Sequence, residues 1–308
     1  MKKLFYLIIL VLFVCIPTHA QRKVTIIEPE SSQEQEGKGL KRKVAIARFT
    51  NETQYAKGLF YDKENDPMGK QALDILSAKL ASSNKFILLE RNDMDKLTSE
   101  VEKANMSVQN IGADYLIIGS ITEFGRKNIG DVKVFSTSKM QIVEAAVNIR
   151  LVDVSTGLIL YSEEAKGTAE QKTKTTMGIG GKADYDATLS DKAISMAISQ
   201  LVENIINNCL DRPWKSYFLA YDADAVLISG GKSQGIKEGD SFIVKQKGKT
   251  VKNPQTGLAI ELPGKTVGKV SVVSSGGDTP ESEYSIVTFT EGNINKDNLM
   301  NYFIEEIK

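Results

Sequence analysis

The sequence predicts an α/β (α+β) domain followed by a small all-β, barrel-like domain. Three observations predict it. Between Lys43 and Phe124, apolar runs of strand length alternate with segments of helical period. Two further long strands and one long helix then carry the chain to Leu210. Beyond Pro213 the texture changes to short β-branched runs broken by glycine and proline.

The first strand is KVAIARF, Lys43 to Phe49, a β-branched apolar run that reads as buried. A polar loop, NETQYAKGLFYDKEND, leads to Asp66-Pro67, an N-cap followed by proline at the first helical position. Met68, Ala72, Leu73, Leu76 and Leu80 then share one helical face, and the helix should close near Ser83-Asn84. KFILLE, Lys85 to Glu90, reads as the second strand. Asp93 to Met106 reads as an amphipathic helix with Met94, Leu97, Val101 and Ala104 in register. Gly112-Ala113-Asp114 turns into YLIIGSITEF, apolar on both faces and suited to a covered central position.

Met140–Val154 and Leu158–Ala165 read as a hairpin across Ser155-Thr156-Gly157, with glycine available for positive φ. Gly167 to Lys182 has almost no apolar content. A closing helix starts near Ser190-Asp191, and its stripe of Ile194, Ala197, Ile198, Leu201, Val202 and Ile205 should lie on the sheet. Asp211-Arg212-Pro213 stops it, because proline cannot continue a helix and restricts its predecessor. Beyond, AVLISGG, SFIVKQKGK, NPQTG, LPGKTVGKVSVVSS and EYSIVTF read as the short strands and turns of a small barrel or sandwich.

The N-terminus has its own signature. Lys2 and Lys3 precede an apolar run from Leu4 to Ile16, then Pro17 and Thr18-His19-Ala20 before Gln21. This is the layout of a secretory leader cut between Ala20 and Gln21; the run is shorter than the about 20 residues a permanent helical span needs. Lipidation at Cys15 is the alternative, but Phe13-Val14 puts a bulky side chain where lipoprotein processing favours a small one. The organisation expected is a leader over 1–20, a flexible Glu/Gln-rich arm over 21–42, the α/β domain over 43–210, the β domain over 215–291, and a C-terminal tail over 292–308 with helical character.

Composition limits the chemistry. The chain holds 39 basic and 39 acidic residues and a single histidine, His19. Such balance argues against a nucleic-acid partner, whose footprint would be a basic excess. If the leader is removed, His19 goes with it and Cys209 becomes the only thiol. The commonest general base, the commonest metal ligand, an internal disulfide and a Ser-His-Asp arrangement then go too. Cys209 lies in a helical apolar pattern and reads as a packed thiol. No catalytic, cofactor or metal residue is therefore assigned.

GADYLIIGSITEF and AAVNIRLVDVSTGLIL resemble the CsgG family of envelope proteins, as do the opening VAIARFTN, LLERNDMDKL and the closing helix; the likeness covers roughly residues 43–210. It implies an α/β sandwich of the CsgG periplasmic type that assembles into a ring, in which two hairpins per subunit add up to an outer-membrane barrel for secreting curli subunits. The tail segments VLISGGKSQGIKEGDSFIV, NPQTG and VGKVSVVS are similar to the C-terminal domain of the flagellar assembly protein FlgT. The hairpins depart from the pattern. A spanning strand needs about 9 to 11 residues with alternate side chains apolar. Over 125–141 only Val132, Val134, Ile129 and Met140 qualify, and 166–182 places Glu170, Lys172 and Lys174 on one face.

Other constellations are weaker than their structural alternatives. Gly178-Ile179-Gly180-Gly181 lacks the spacing of a dinucleotide fingerprint. Asp62, Glu64 and Asp66 lack the rest of a calcium loop. Asp222 and Asp224 form an acidic pair without a base beside it. The aromatic residues Phe60, Tyr61, Trp214, Tyr217, Phe218 and Tyr221 point to contact, either between domains or with a partner. The expectation is a non-enzymatic periplasmic protein, with outer-membrane association open to it, that forms a homo-oligomer and binds other envelope or secreted proteins. A secretion channel for curli-like subunits and a periplasmic hydrolase using the loop carboxylates are the rivals.

Overall fold

The computed structural model describes residues 39–54, 66–104, 112–133, 136–176, 188–222, 225–255, 257, 259–280 and 282–307. All lie in one compact unit, Gly39–Lys308, built around two hydrophobic clusters.

The first cluster belongs to a five-stranded sheet. Strand β1 (Arg42–Asn51) lies between β2 (Phe86–Leu89) and β3 (Tyr115–Lys133), parallel to both. Strands β4 (Ser136–Asp153) and β5 (Ile159–Thr176) continue the sheet antiparallel, in the order β2-β1-β3-β4-β5.

Helix α1 (Pro67–Ser82) forms as its sequence predicts. The Asp66 carboxylate accepts the Gly69 N–H at 2.9 Å and, through its other oxygen, the Asn51 N–H at 2.6 Å. One side chain thus caps the helix and pins its start to the end of β1; such caps contribute about 1 kcal/mol. A Cβ at residue 69 would lie 2.5 Å from that carboxylate and 2.7 Å from the Phe49 carbonyl, so only glycine fits. Asn84 takes a left-handed φ of 52° just past the helix end.

Helix α2 (Met94–Lys103) is amphipathic in sequence, yet none of its residues is buried and Leu97 is 44 % exposed.

Helix α3 (Thr188–Leu210) lies on β4 and β5 and buries Leu189, Ala193, Ile194, Ala197, Ile198, Leu201, Ile205 and Cys209. Val202, expected on this stripe, is only half-buried. The close approach depends on Gly167 of β5, where a Cβ would sit 2.0 Å from the Ala193 carbonyl oxygen and 2.6 Å from the Ala197 nitrogen. At the other end of β5, the turn from β4 is held by Asp153, which accepts from the N–H of Ser155 at 2.9 Å and of Thr156 at 3.1 Å. Gly157 there has φ 69°.

The central strands run further than their apolar content suggests. The sequence ends the third strand near Phe124, begins the fourth at Met140 and ends the fifth at Ala165; the observed strands reach Lys133, start at Ser136 and reach Thr176. Past Ile121 β3 pairs only with β4, and β5 only with β4, so β4 lies between them and its backbone ladders carry all three strands through polar sequence that the core does not reach.

The second cluster fills a barrel. Its strands are β6 (Lys215–Ser216), β7 (Phe218–Asp222), β8 (Ala225–Ser229), β9 (Ser241–Gln246), β12 (Lys265–Gly276), β13 (Tyr284–Gly292) and β14 (Tyr302–Glu306). Between β9 and β12, β10 (Thr250–Lys252) and β11 (Ala259–Glu261) form a separate hairpin. The sheet order is β6-β14-β9-β12-β13-β8-β7. Its two ends, β6 and β7, are successive pieces of one segment with Tyr217 between them, so the sheet closes on itself. The Ser229 N–H donates to the Tyr217 carbonyl at 3.0 Å across this seam. Trp214, Phe218, Ile228, Phe242, Val244, Val270 and Ile304 fill the interior.

Both ends of the expected organisation need correction. Residues 292–307 are not a helical tail: Lys296–Asn301 is a 3-10 stretch broken by a kink at Asn298, and β14 lies inside the sheet between β6 and β9. The barrel therefore cannot close at residue 291. The arm predicted over 21–42 overlaps the fold at its end, because Leu40 is buried in the barrel core and Arg42, 2 % exposed, opens β1; residues 21–38 lie outside the described residues. Five residues of alternating YFIEE are too few for periodicity to announce a strand.

Candidate interaction surface

The stretch WKSYFLAY supplies the barrel seam, and the pleat sorts its side chains. Trp214 is 2 % exposed and Phe218 8 %, both inside the barrel. The Trp214 ring lies 5.4 Å from that of Phe242, and the Phe218 ring stacks 6.4 Å from Phe289. Tyr217 and Leu219 point outward and are 54 % and 55 % exposed. A bulge between Phe218 and Ala220 resets the alternation. Tyr221 is half-buried: its ring stacks 6.4 Å from Phe289, and its hydroxyl donates to Asn293 at 3.3 Å. The four aromatic residues thus divide between core and surface. Phe60, Tyr61, Ala20 and Gln21 lie outside the described residues, as do Asp62, Glu64, Asp224 and the 178–181 glycines.

Lysines lie over three aromatic rings of the barrel, of which Tyr217 is exposed. Lys247 Nζ lies 5.7 Å from the Tyr217 ring centre, Lys215 Nζ 5.3 Å from Phe303 and Lys296 Nζ 4.3 Å from Tyr221. These are cation–π distances. The β10-β11 hairpin extends this surface, with Val251 opposite Ile260 and the Leu262 N–H donating to the Lys249 carbonyl at 3.0 Å. Val251, Ile260 and Leu262 are 41–45 % exposed. From its sequence this region reads only as strand and turn. The signal it holds is KQKGKTVK, four lysines within eight residues of a chain whose charges cancel overall.

An ion pair joins the barrel to the start of the first sheet. Arg42 Nη2 lies 3.2 Å from Glu306 Oε2 and donates to the Arg212 carbonyl at 2.7 Å, while Nη1 donates to the Leu40 carbonyl at 2.5 Å. Glu306 also accepts the N–H of Trp214 at 3.1 Å and of Leu40 at 3.4 Å. The start of β1, the end of α3, the seam and the last strand therefore meet at one buried guanidinium.

Among the described residues, several further titratable groups are packed or hydrogen-bonded within the fold. Burial pushes the Cys209 thiol up to about 12, so it stays protonated and packed. Burial also raises the Asp114 carboxyl, against the Lys43 N–H that it accepts at 2.8 Å. Asp66, considered as a calcium ligand, has both oxygens engaged in the α1 cap. Asp222 ends β7 opposite Ala225. Among the described residues no three of His, Cys, Asp and Glu are placed to hold a metal ion, and no helix is long and apolar enough to cross a membrane.

Comparison with known proteins adds the family. A candidate lipoprotein of Neisseria meningitidis serogroup B, NMB1126/NMB1164, is 32 % identical over 192 residues, covering 61 % of this chain and 86 % of its own length. Among solved structures, the hypothetical protein CT253 of Chlamydia trachomatis is 14 % identical with a TM-score of 0.31, covering 56 % of this chain and 97 % of its own. The PelC dodecamer of Paraburkholderia phytofirmans is 17 % identical with a TM-score of 0.24, covering 52 % and 86 %. The model of the CsgG family, curli production assembly/transport component CsgG, matches residues 28–239, from ahead of β1 to past β8. The chain belongs to the CsgG family.

Proposed function

We propose that this chain is an exported, non-enzymatic envelope protein that works by assembling with copies of itself and holding other envelope or secreted proteins. The observation that carries the reading is β5. It is the edge of the five-stranded sheet over 18 residues, and so long an edge is a template for pairing with another chain. Family membership, the leader-like N-terminus and the candidate-lipoprotein relative support the envelope as its location.

The register of β3, β4 and β5 favours this reading over a lipid-spanning channel. Residues paired across neighbouring strands share a face. One face carries Lys127, Ile142 and Glu170 in one row, then Ile129, Met140 and Lys172 in the next. The other carries Asn128, Gln141 and Gln171, then Gly130 and Lys139. Ile129 and Met140 therefore sit beside charges on one face, and the opposite face is polar. A lysine at the bilayer midplane costs about 2–4 kcal/mol.

Light scattering on the chain from Gln21 onward, with and without detergent, tests the proposal. The expected result is a mass several times that of one chain, unchanged by detergent. A monomer under both conditions would overturn it.

A further inference from the structure

We propose that the β10-β11 hairpin and the barrel surface at its root form a docking face for a bilayer carrying anionic phospholipid headgroups. The segment Lys245–Lys265 holds five lysines and a single acid, Glu261. Lys245 is engaged by Glu305, which leaves Lys247, Lys249, Lys252 and Lys265, all exposed. This is a concentrated positive charge on a chain whose formal total is zero.

The apolar side chains are arranged to match. Val251 faces Ile260 across the hairpin. Leu262, two residues beyond Ile260, falls on the same face, and so does Lys249, two before Val251. One face of a two-stranded arm thus presents Val251, Ile260 and Leu262 with a lysine at its edge. At its root, Lys247 reaches over the exposed ring of Tyr217. Apolar groups flanked by lysines and a tyrosine suit the boundary between acyl chains and headgroups. The aliphatic parts enter, the ammonium groups reach up to phosphate, and the ring sits at the interface.

Glycines set the arm's backbone at its root and at its tip. A Cβ at Gly248 would sit 1.7 Å from the Leu262 carbonyl oxygen, so the two strands close tightly where the arm leaves the barrel. Gly257, at φ 71°, turns the tip, and its N–H donates to the Asn253 carbonyl at 2.8 Å. The surface is separate from the edge of β5, so bilayer docking and self-assembly stand or fall independently.

Flotation of the chain lacking residues 1–20 tests the inference. The vesicles are phosphatidylethanolamine and phosphatidylglycerol at roughly three to one, with pure phosphatidylcholine as the comparison. Binding is expected to the anionic vesicles and to weaken with salt. Lys247→Ala with Lys249→Ala should weaken it on the order of twenty-fold, about five-fold per lysine. Ile260→Ser with Leu262→Ser should weaken it independently. Trp214 emission should be unchanged in both variants, because that ring is inside the barrel. Equal binding to both vesicle types, binding to neither, or anionic binding that survives the double lysine variant would overturn the proposal. Retention on polyglutamate without vesicle binding would overturn it in favour of an acidic protein segment. Self-association that the lysine variant abolishes, again without vesicle binding, would do so in favour of a second copy of this chain.

Discussion

Glu306→Ala removes the carboxylate that joins the last strand to the first. Arg42 would keep its guanidinium at 3 % side-chain exposure with only the Leu40 and Arg212 carbonyls as partners. The N–H groups of Trp214 and Leu40 would lose an acceptor at 3.1 and 3.4 Å. Breaking a buried pair by removing one partner costs about 3–5 kcal/mol. The two remaining carbonyls and the 20 % exposure of Glu306 place this case near the low end, about 3 kcal/mol. The thermal midpoint should fall by roughly 6–12 °C. Two probes read it. Trp214, the single tryptophan, reports the barrel seam, and far-ultraviolet circular dichroism reports both sheets. In the variant, the Trp214 transition should precede the dichroism transition, because the lost contacts converge on the seam. Arg42→Ala combined with Glu306→Ala should cost less than the sum of the single variants. A midpoint shift equivalent to less than about 1 kcal/mol, with the probes still coincident, would refute the view that this pair couples barrel and sheet.

Two further outcomes follow from local geometry. Gly167→Ala should destabilise by about 1–3 kcal/mol or more, since the new methyl meets the backbone of α3. Gly125→Ala, with nothing within 4 Å, should be near neutral, and a urea midpoint that fails to separate the two would sink the packing account. Asp114 has its carboxyl raised by burial. Stability from its protonation is therefore fully present below the unfolded carboxylate value and lost as pH rises through the folded one. Asp114→Asn keeps an oxygen for the Lys43 N–H, so it should be more stable than the parent at neutral pH, with the gap closing in acid. Denaturation across pH checks this, and a gap that widens in acid contradicts it.

The elements most legible from sequence were those where a local signal and the core agreed. Asp66-Pro67, Ser155-Thr156-Gly157 and the stripe on α3 each combine turn or cap chemistry with apolar periodicity, and each sits where that chemistry placed it. Helix α2 shows the limit. Its apolar register is present in the sequence, but none of its described residues is buried, because a hydrophobic stripe states a preference and does not supply a partner. The aromatic surface was half legible. The residue types suggested contact, while the division of Trp214 and Phe218 from Tyr217 awaited the pleat.

What the sequence determined by itself was local and compositional: strand and helix order up to Leu210, the caps and turns, the family, and the scarcity of imidazole and thiol. Tertiary structure decided everything that joins residues distant along the chain. It set the closure of the barrel by a strand at 302–306, the meeting of Arg42 with Glu306, the extension of three strands through polar sequence, and the grouping of lysines with exposed Val251, Ile260 and Leu262. The physical reason is that strand pairing and burial are long-range: a short segment becomes a strand, and a charged side chain becomes buried, only when partners far away along the chain arrive to complete its hydrogen bonds.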